Sequence, residues 1–226
     1  RLNSSRLPNK VLLPLCGLTS LEVQIKRIFQ MRNIQHVVIA VPDDLNNDLL
    51  ETLIINSGAT VFRGHPFDVL ERTYKAAKSV GSDYVVRIPG DKPLFDPEIG
   101  DSVINELLRS GCDYSANNLK FSVPHGFDCE VFTIDALAQA VRHAQLPFDR
   151  EHVTPFLKRK NQIFNILNVD SGYSEFNKWR FTLDYPEDYQ VINMVFRMLE
   201  MSFLDVRIND VITLCKNNPE ILNLNK

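Results

Sequence analysis

Short apolar runs alternate with amphipathic stripes along the first half of the chain. The residues from Val37 to Val41 form a continuous apolar run that ends at Pro42, which predicts a buried parallel strand. Further strands are predicted at residues 60–62 and 84–88, and a helix is predicted from the N-cap Asp96 to Gly111. Two more helices are predicted from the stripes Leu45, Leu49, Leu50, Leu53, Ile54 and Phe67, Leu70, Tyr74, Ala77.

The second half of the chain is less regular but continues the alternation. Strands are predicted at residues 130–132, 163–169 and 180–183, and helices at residues 135–144, 149–160 and 208–216. Pro186 opens a further helix with an apolar stripe. The whole pattern predicts an α/β fold with a mostly parallel central sheet flanked by helices. Because no Gly-, Ser- or Pro-rich linker interrupts it, we expect residues 1–226 to form a single domain.

Composition and charge exclude several function classes. The 226 residues are 44% hydrophobic and carry a net charge of −3, which is typical of an ordinary globular protein. This balance argues against bulk neutralisation of nucleic-acid phosphates, and no apolar run approaches the roughly 20 residues of a membrane helix. The cysteines show no C-x-x-C spacing and favour free thiols in a reducing cytosol. We expect a cytoplasmic protein without nucleic-acid or membrane partners.

The opening segment, residues 1–10, is a candidate anion-binding loop. Arg1, Arg6 and Lys10 are separated by small polar residues, which can wrap an anion with charges, hydroxyls and backbone N–H groups. The sequence contains no G-x-x-x-x-G-K-S/T motif, which excludes a P-loop NTPase. On composition alone, a frayed basic terminus is the commoner explanation.

Two aspartates follow predicted strands and are candidate metal ligands. Asp91 lies on a Gly/Pro-bounded turn after the strand at 84–88, and Asp184 follows the strand at 180–183. Ligands of open α/β sheets gather at the carboxyl ends of the strands. Mg²⁺ takes one or two carboxylates together with phosphate oxygens, so two such aspartates could share one ion. The commoner role of an Asp in this position is a turn former or helix cap.

Six segments, taken together and in order, resemble the cytidylyltransferases that make CMP-activated acidic sugars. The resemblance is to the spore-coat-polysaccharide type, with CMP-sialate and CMP-Kdo synthetases as wider relatives, and it extends to about Glu200. The segments are Arg1-x-x-Ser4-x-Arg6-Leu7-Pro8-x-Lys10, Phe62-Arg63-Gly64 with Asp68-Val69-Leu70-Glu71-Arg72, Gly90-Asp91-x-Pro93-Leu94, Gly126-x-Asp128-x-Glu130-Val131-Phe132, Arg150-Glu151-His152-Val153-Thr154-Pro155, and Thr182-x-Asp184-Tyr185-Pro186-Glu187-Asp188.

The resemblance implies a fold, a reaction and a role for each matching residue. The fold is the Rossmann-like fold of nucleotide-diphospho-sugar transferases. In the reaction, a sugar hydroxyl attacks the α-phosphorus of CTP and pyrophosphate leaves. A homodimer, formed through residues 119–132, is implied as well. The implied residues are Arg1, Arg6 and Lys10 as catalytic cations, Ser4, Ser5, Arg63, Asp68 and Arg72 for the nucleotide, Asp91 and Asp184 for Mg²⁺, and Asp128, Glu130, Arg150, Glu151 and His152 for the sugar.

Two departures from the family pattern, and the start of the sequence, carry expectations of their own. Asn9 stands where the family usually has Gly and Asn3 where it often has Gly, and Asn tolerates the left-handed backbone better than other non-glycine residues. Lys92 replaces a small or acidic residue, so it either contacts phosphate or weakens metal binding. The sequence opens at Arg1, and we expect the first strand of the sheet to be missing from it.

Three rival functions remain open from the sequence. A glycosyltransferase of similar architecture usually holds its metal with Asp-x-Asp, and the sequence contains no such pair. A pyrophosphorylase using another nucleotide and a sugar 1-phosphate usually has a Gly-rich opening loop, which residues 1–10 do not show. The third rival is a sugar-nucleotide-binding protein that kept the fold and lost turnover. Pyrophosphate release from a panel of nucleotides distinguishes all three.

Overall fold

The computed structural model of the chain describes residues 6–44 and 48–226, so Arg1, Asn3, Ser4, Ser5 and the stripe position Leu45 lie outside the described residues. The strands are β1 (Pro14–Leu15), β2 (Leu18–Thr19), β3 (Val38–Pro42), β4 (Thr60–Gly64), β5 (Tyr84–Arg87), β6 (Tyr114–Ala116), β7 (Glu130–Thr133) and β8 (Ile166–Asn168). The helices are α1 (Ser20–Ile28), α2 (Asp48–Asn56), α3 (Val69–Ser79), α4 (Pro97–Ser110), α5 (Ile134–His143), α6 (Pro147–His152), α7 (Pro155–Arg159), α8 (Pro186–Met198) and α9 (Ile208–Asn217).

The strands confirm the α/β fold class but pair in mixed directions. β3 and β4 form a parallel pair, and a four-stranded sheet has the order β5-β7-β6-β8. β8 is parallel to β6, whereas β7 is antiparallel to both β5 and β6. Parallel neighbours need a crossover, usually through a helix, and residues 117–129 return from β6 to β7 without one. Strands β5, β6 and β8 of this sheet therefore run in the same direction, as the predicted mostly parallel sheet requires. Strand β7 runs in the opposite direction between β5 and β6.

Helix α3 begins later than its stripe predicted. The Asp68 side chain caps it by accepting a hydrogen bond from the backbone N–H of Glu71 at 2.9 Å. Phe67 therefore precedes the helix and is 74% exposed, so its assignment to the apolar stripe was wrong. Leu70 of the same stripe is fully buried. The capping polar residue, rather than the apolar period, decides where the helix starts.

Two predictions in the second half of the chain also need correction. The helix predicted at residues 149–160 is divided into α6 and α7, because Val153 between them has φ 72° and ψ −56°. The amide of Thr154 donates to the carbonyl of His152 at 2.9 Å across this sharp turn. The strand predicted at residues 180–183 forms only a single parallel bridge, between Arg180 and His125.

The guanidinium of Arg27 connects α1 with the segment after Asp91 and with the segment before α9. Arg27 lies on α1, is fully buried, and donates to the carbonyls of Phe95 at 3.1 Å and Val206 at 2.8 Å. It also donates to the carbonyls of Leu94 and Phe203. Burial lowers the pKa of Arg27 to about 10, which leaves it charged at neutral pH. Its hydrogen bonds thus hold the segment after Asp91 against α1 and the approach to α9.

We expect the substitution Arg27→Met to lower the free energy of unfolding by about 3 kcal/mol, because several buried carbonyls lose their donor. Chemical denaturation followed by circular dichroism measures the change. Arg197→Met on α8 is the matched control, because Arg197 is exposed. Equal stability of the two variants would contradict this role for Arg27.

Candidate functional site

Lys10 bridges the two candidate metal ligands. Its ammonium nitrogen Nζ lies 3.2 Å from Oδ2 of Asp91 and 3.0 Å from Oδ1 of Asp184. Lys10 is brought there by a 3₁₀ turn at Lys10–Leu12, preceded by Asn9 in the left-handed conformation with φ 55°. The backbone amide of Leu183 donates to the carbonyl of Asp91 at 2.8 Å, which holds the two acidic loops together. Three segments far apart in sequence therefore meet at one cluster.

A second cation reaches the same cluster from the opening segment. Arg6 donates to Oδ1 of Asp184 at 2.8 Å, and its guanidinium lies 5.2 Å from the ring centre of Tyr185. The amides of Asp184 and Tyr185 both donate to the buried carboxylate of Asp188 at the start of α8. Burial raises the pKa of Asp184, but Lys10, and after it Arg6, outweigh burial and keep the pKa below its ordinary value. Asp184 is thus held ionised.

The donor set of this cluster fits a divalent cation that is completed by another ligand. Oδ1 of Asp91 is buried and has no hydrogen-bond partner among the described residues. Residues 6–44 and 48–226 contain no group of three or more acidic, histidine or cysteine side chains that could hold a metal. Mg²⁺ commonly uses one or two carboxylates and takes its remaining oxygens from phosphate or water. Asp91 and Asp184 would hold it only as part of such a shared site.

Beside the cluster lies a cavity of about 240 Å³ with a strongly polar lining. Pro89 and Lys92, which flank Asp91 in the sequence, form part of its wall. The remaining lining residues are Arg87, Asn118, Asp128, Cys129, Glu130, His152, Thr154, Pro155 and Lys158. The turn that carries Asp91 therefore belongs to both the acidic cluster and the cavity.

Glu130 is a buried anion of the cavity and is only 3% exposed. It accepts hydrogen bonds from Arg87 at 2.7 Å, Thr154 at 2.8 Å and the hydroxyl of Tyr114 at 2.8 Å, and Lys158 lies 2.7 Å away as an ion pair. Burial alone would raise the pKa of Glu130, but the two cations outweigh burial and lower it to about 2. Glu130 is ionised at neutral pH and organises the donors around it.

Lys92 and Asp128 form a second ion pair in the cavity wall. Nζ of Lys92 lies 2.7 Å from Oδ2 of Asp128 and also donates to the backbone carbonyl of that residue at 2.7 Å. Burial opposes ionisation, yet Lys92 lowers the pKa of Asp128 to about 2. Lys92 therefore contacts a protein carboxylate in this structure. The two roles expected from the sequence, contact with phosphate or weaker metal binding, stay predictions.

The Asp128 segment packs closely on the Asp184 segment. Gly126 has φ 106°, and a Cβ at this position would lie 2.6 Å from the carbonyl oxygen of Phe181. The amide of Gly126 donates to Asp128 at 3.2 Å. Only glycine allows this approach, which brings the cavity wall next to the segment that carries Asp184.

The remaining residues predicted for the sugar are distributed on α6. His152 lines the cavity, and its ring lies 4.5 Å from that of the exposed Phe148. Arg150 donates to Asp68 at 2.9 Å and to the carbonyl of Val141 at 2.7 Å, so it joins α6 to α3 and α5. Glu151 is exposed and is not among the cavity residues.

The residues predicted for the nucleotide surround the loop after β4. Arg63 donates to Glu51 at 2.7 Å and to Asp48 at 2.5 Å. Arg72 is buried and donates to the carbonyl of His65 at 2.6 Å. Together with the cap Asp68, these contacts shape the loop between β4 and α3. Their direct contact with a nucleotide stays a prediction.

The sequence analysis missed several cavity residues, and those among them that form hydrogen bonds or ion pairs with other cavity residues are Arg87, Asn118, Thr154 and Lys158. Arg87 ends β5 and is the cross-strand partner of Glu130 on β7, an opposite-charge pair of the kind that stabilises sheets. A cation at the end of a predicted strand was an available signal. Lys158 follows Thr154 by one helical turn on α7, so the two face the same side.

We expect the substitution Thr154→Val to lower the free energy of unfolding by about 1–3 kcal/mol, because Glu130 loses a hydrogen bond inside the fold. Thr154→Ser keeps the hydroxyl and should retain most of the stability. Urea unfolding of both variants measures the difference. A Val variant as stable as the Ser variant would contradict a role of this hydroxyl in holding Glu130.

Comparison with known proteins shows the family to which the chain is similar. The family model described as Cytidylyltransferase matches residues 1–215. The chain is 30% identical to spore coat polysaccharide biosynthesis protein SpsF of Bacillus subtilis, over 97% of this chain and 92% of that protein. The structure matches a cytidylyltransferase from Leptospira borgpetersenii with TM-score 0.94 and 28% identity, covering 100% of this chain and 94% of the other.

A more distant match supports the fold. The structure of a CMP:2-keto-3-deoxy-manno-octonic acid synthetase complexed with CTP matches with TM-score 0.64 and 15% identity, over 88% of this chain and 95% of the other. The α/β fold and the extent of the family match lead to one conclusion. The chain belongs to the cytidylyltransferase family and is a nucleotidyltransferase.

Proposed function

We propose that the protein transfers CMP from CTP to an acidic keto sugar, with release of pyrophosphate, for the synthesis of a surface polysaccharide. The observation that carries the proposal is the turn at residues 89–92. Its Asp91 contacts Lys10 in the acidic cluster, while Pro89 and Lys92 line the cavity. A nucleotide at the cluster and a sugar in the cavity would therefore be neighbours, as in-line transfer requires.

The cluster suits the phosphate end of the reaction. Lys10 and Arg6, with Arg1 as a further proposed cation, would pair with the phosphates and offset the charge that develops as pyrophosphate leaves. Arg6 can contact two oxygens at once, whereas Lys10 acts as a compact point charge. Mg²⁺, when held by Asp91 and Asp184, would neutralise phosphate oxygens and lower the pKa of the attacking hydroxyl. We propose Arg63, Asp68, Arg72, Ser4 and Ser5 for the nucleotide.

The charge of the cavity favours an acidic sugar. Its lining holds the cations Arg87, Lys92 and Lys158 against the carboxylates Asp128 and Glu130, which leaves one excess positive charge. The side chain of Lys158 is 32% exposed although it contacts Glu130, so its ammonium can also donate to a ligand. We propose Lys158 and Arg87 for the sugar carboxylate, and Asp128, Glu130 and His152 for sugar hydroxyls. Arg150 and Glu151 would act beside them through α6.

The relatives support the same reaction class. SpsF is named for spore-coat polysaccharide synthesis, and the synthetase of similar fold is complexed with CTP. No helix within the described segments has both the length and the apolar character needed to cross a bilayer. We propose a single catalytic domain that works in the cytoplasm, where the free thiols of its cysteines would stay reduced. The homodimer stays a prediction.

Pyrophosphate release tests the proposal directly. The purified protein is incubated with each of CTP, UTP, GTP and ATP, with and without Mg²⁺, and with acidic keto sugars or neutral sugar 1-phosphates. We expect release only with CTP, Mg²⁺ and an acidic keto sugar. Release with UTP or GTP and a sugar 1-phosphate would identify a pyrophosphorylase instead. Thermal stabilisation by CTP without release under any condition would indicate a binding protein.

We expect the substitution Lys158→Met to raise the KM for the acidic sugar by about 10- to 100-fold, the usual scale for one lost charge-assisted hydrogen bond. The KM for CTP should stay unchanged, because Lys158 lies in the cavity wall. Lys160→Met is the matched control, since Lys160 is exposed two residues further along. Steady-state kinetics with each substrate varied in turn measures both constants. An unchanged sugar KM would contradict this assignment.

A further inference from the structure

We propose that Lys10 is the resident counter-ion of the Asp91–Asp184 pair and that it makes binding of a divalent cation depend on the nucleotide. In the nucleotide-free protein, the Lys10 ammonium takes the position in which the carboxylates would share a cation. A nucleotide triphosphate draws Lys10 to its own phosphates and so releases both carboxylates. This inference rests on the proposed function only in taking Asp91 and Asp184 as the cation ligands.

The contacts of Lys10 are those of a bridging cation. Its Nζ is 3.2 Å from Asp91 and 3.0 Å from Asp184, and its side chain is only 14% exposed. Its backbone carbonyl accepts a hydrogen bond from the hydroxyl of Ser20 at 2.8 Å, which fixes the main chain to α1. The four-carbon side chain is therefore the part of Lys10 that can swing between the aspartates and another anion.

The charges of the cluster oppose a divalent cation while Lys10 stays in place. Lys10 and Arg6 balance the two carboxylates, so an added dication would meet two nearby positive charges and no excess negative charge. The two Lys10 pairs are partly buried, and solvent screens repulsion less there than at an open surface. Lys10 can leave the aspartates cheaply only when another anion accepts it, and a triphosphate is such an anion.

The two aspartates differ in a way that fits this exchange. Oδ1 of Asp184 accepts from both Lys10 and Arg6. Asp91 uses only Oδ2 on Lys10, and its buried Oδ1 has no hydrogen-bond partner among the described residues. Lys10 thus satisfies the pair incompletely. Because nucleotide and cation each favour the state in which Lys10 has left, linkage requires that each raises the affinity for the other.

Titration of the nucleotide-free protein with Mn²⁺ tests the proposal without turnover. Free Mn²⁺ is measured by electron paramagnetic resonance for the wild type, Lys10→Met and Lys10→Arg. We expect Lys10→Met to bind Mn²⁺ at least about tenfold more tightly than the wild type, within the usual range of coupling between sites. Lys10→Arg keeps the charge and should behave as the wild type. Arg6→Gln, at an exposed position, should give a smaller gain in the same direction.

The double variant Lys10→Met with Asp184→Asn locates the bound ion. We expect it to lose the gain in Mn²⁺ affinity, and retention of that gain would overturn the proposal because the ion would lie elsewhere. Equal Mn²⁺ affinity of the wild type, Lys10→Met and Arg6→Gln would also overturn it. The measurement needs neither CTP nor sugar. It can therefore fail while cytidylyl transfer stands, and it can succeed even if the protein uses another nucleotide.

Discussion

The need to neutralise partly or fully buried carboxylates governs the architecture of the candidate site. Each carboxylate that faces the cluster or the cavity is paired with a cation from a different part of the chain. Removing one partner of such a pair leaves an uncompensated charge, which is destabilising. Each pair therefore stabilises the contact between the two parts of the chain that supply it. Glu130 shows this most clearly, because β5, β6, α7 and the turn before α7 each supply one donor to it.

The same pairs that hold the fold also prepare the site for ligands. Arg87 and Lys158 are held in place by their ion pairs with Glu130, and Lys10 is held between Asp91 and Asp184. A substrate therefore meets cations that are already oriented, which reduces the reorganisation that catalysis would otherwise require. The cost is that every substrate anion must compete with a protein carboxylate for its cation. The affinity of the site for an anionic substrate then depends on how many N–H donors each cation can give to the substrate while it stays paired with its carboxylate.

Sequence patterns predicted the local features of this site better than its pairings. Asp91 and Asp184 were predicted to meet because both follow strands, and the structure joins them through Lys10. The Arg87–Glu130 pair depends on the antiparallel register of β7, which is set by the return of residues 117–129 and leaves no periodic signal in either strand. The prediction for Phe67 was wrong for the opposite reason. The apolar period included Phe67 in the helix, but the cap at Asp68 starts the helix after it.

The turn at Val153 positions residues of the cavity although its backbone conformation is unfavourable for valine. A β-branched residue at φ 72° is strained, and conformations of this kind persist only where the surroundings determine them. Val153 is fully buried, so its side chain packs in the core while the turn separates α6 from α7. An unbroken helix could not present both His152 and Thr154 to the cavity with this geometry, since residues two apart lie on different helix faces. The turn at Val153 therefore places the Thr154 hydroxyl on Glu130 and His152 at the cavity wall. It also interrupts the helix predicted at residues 149–160.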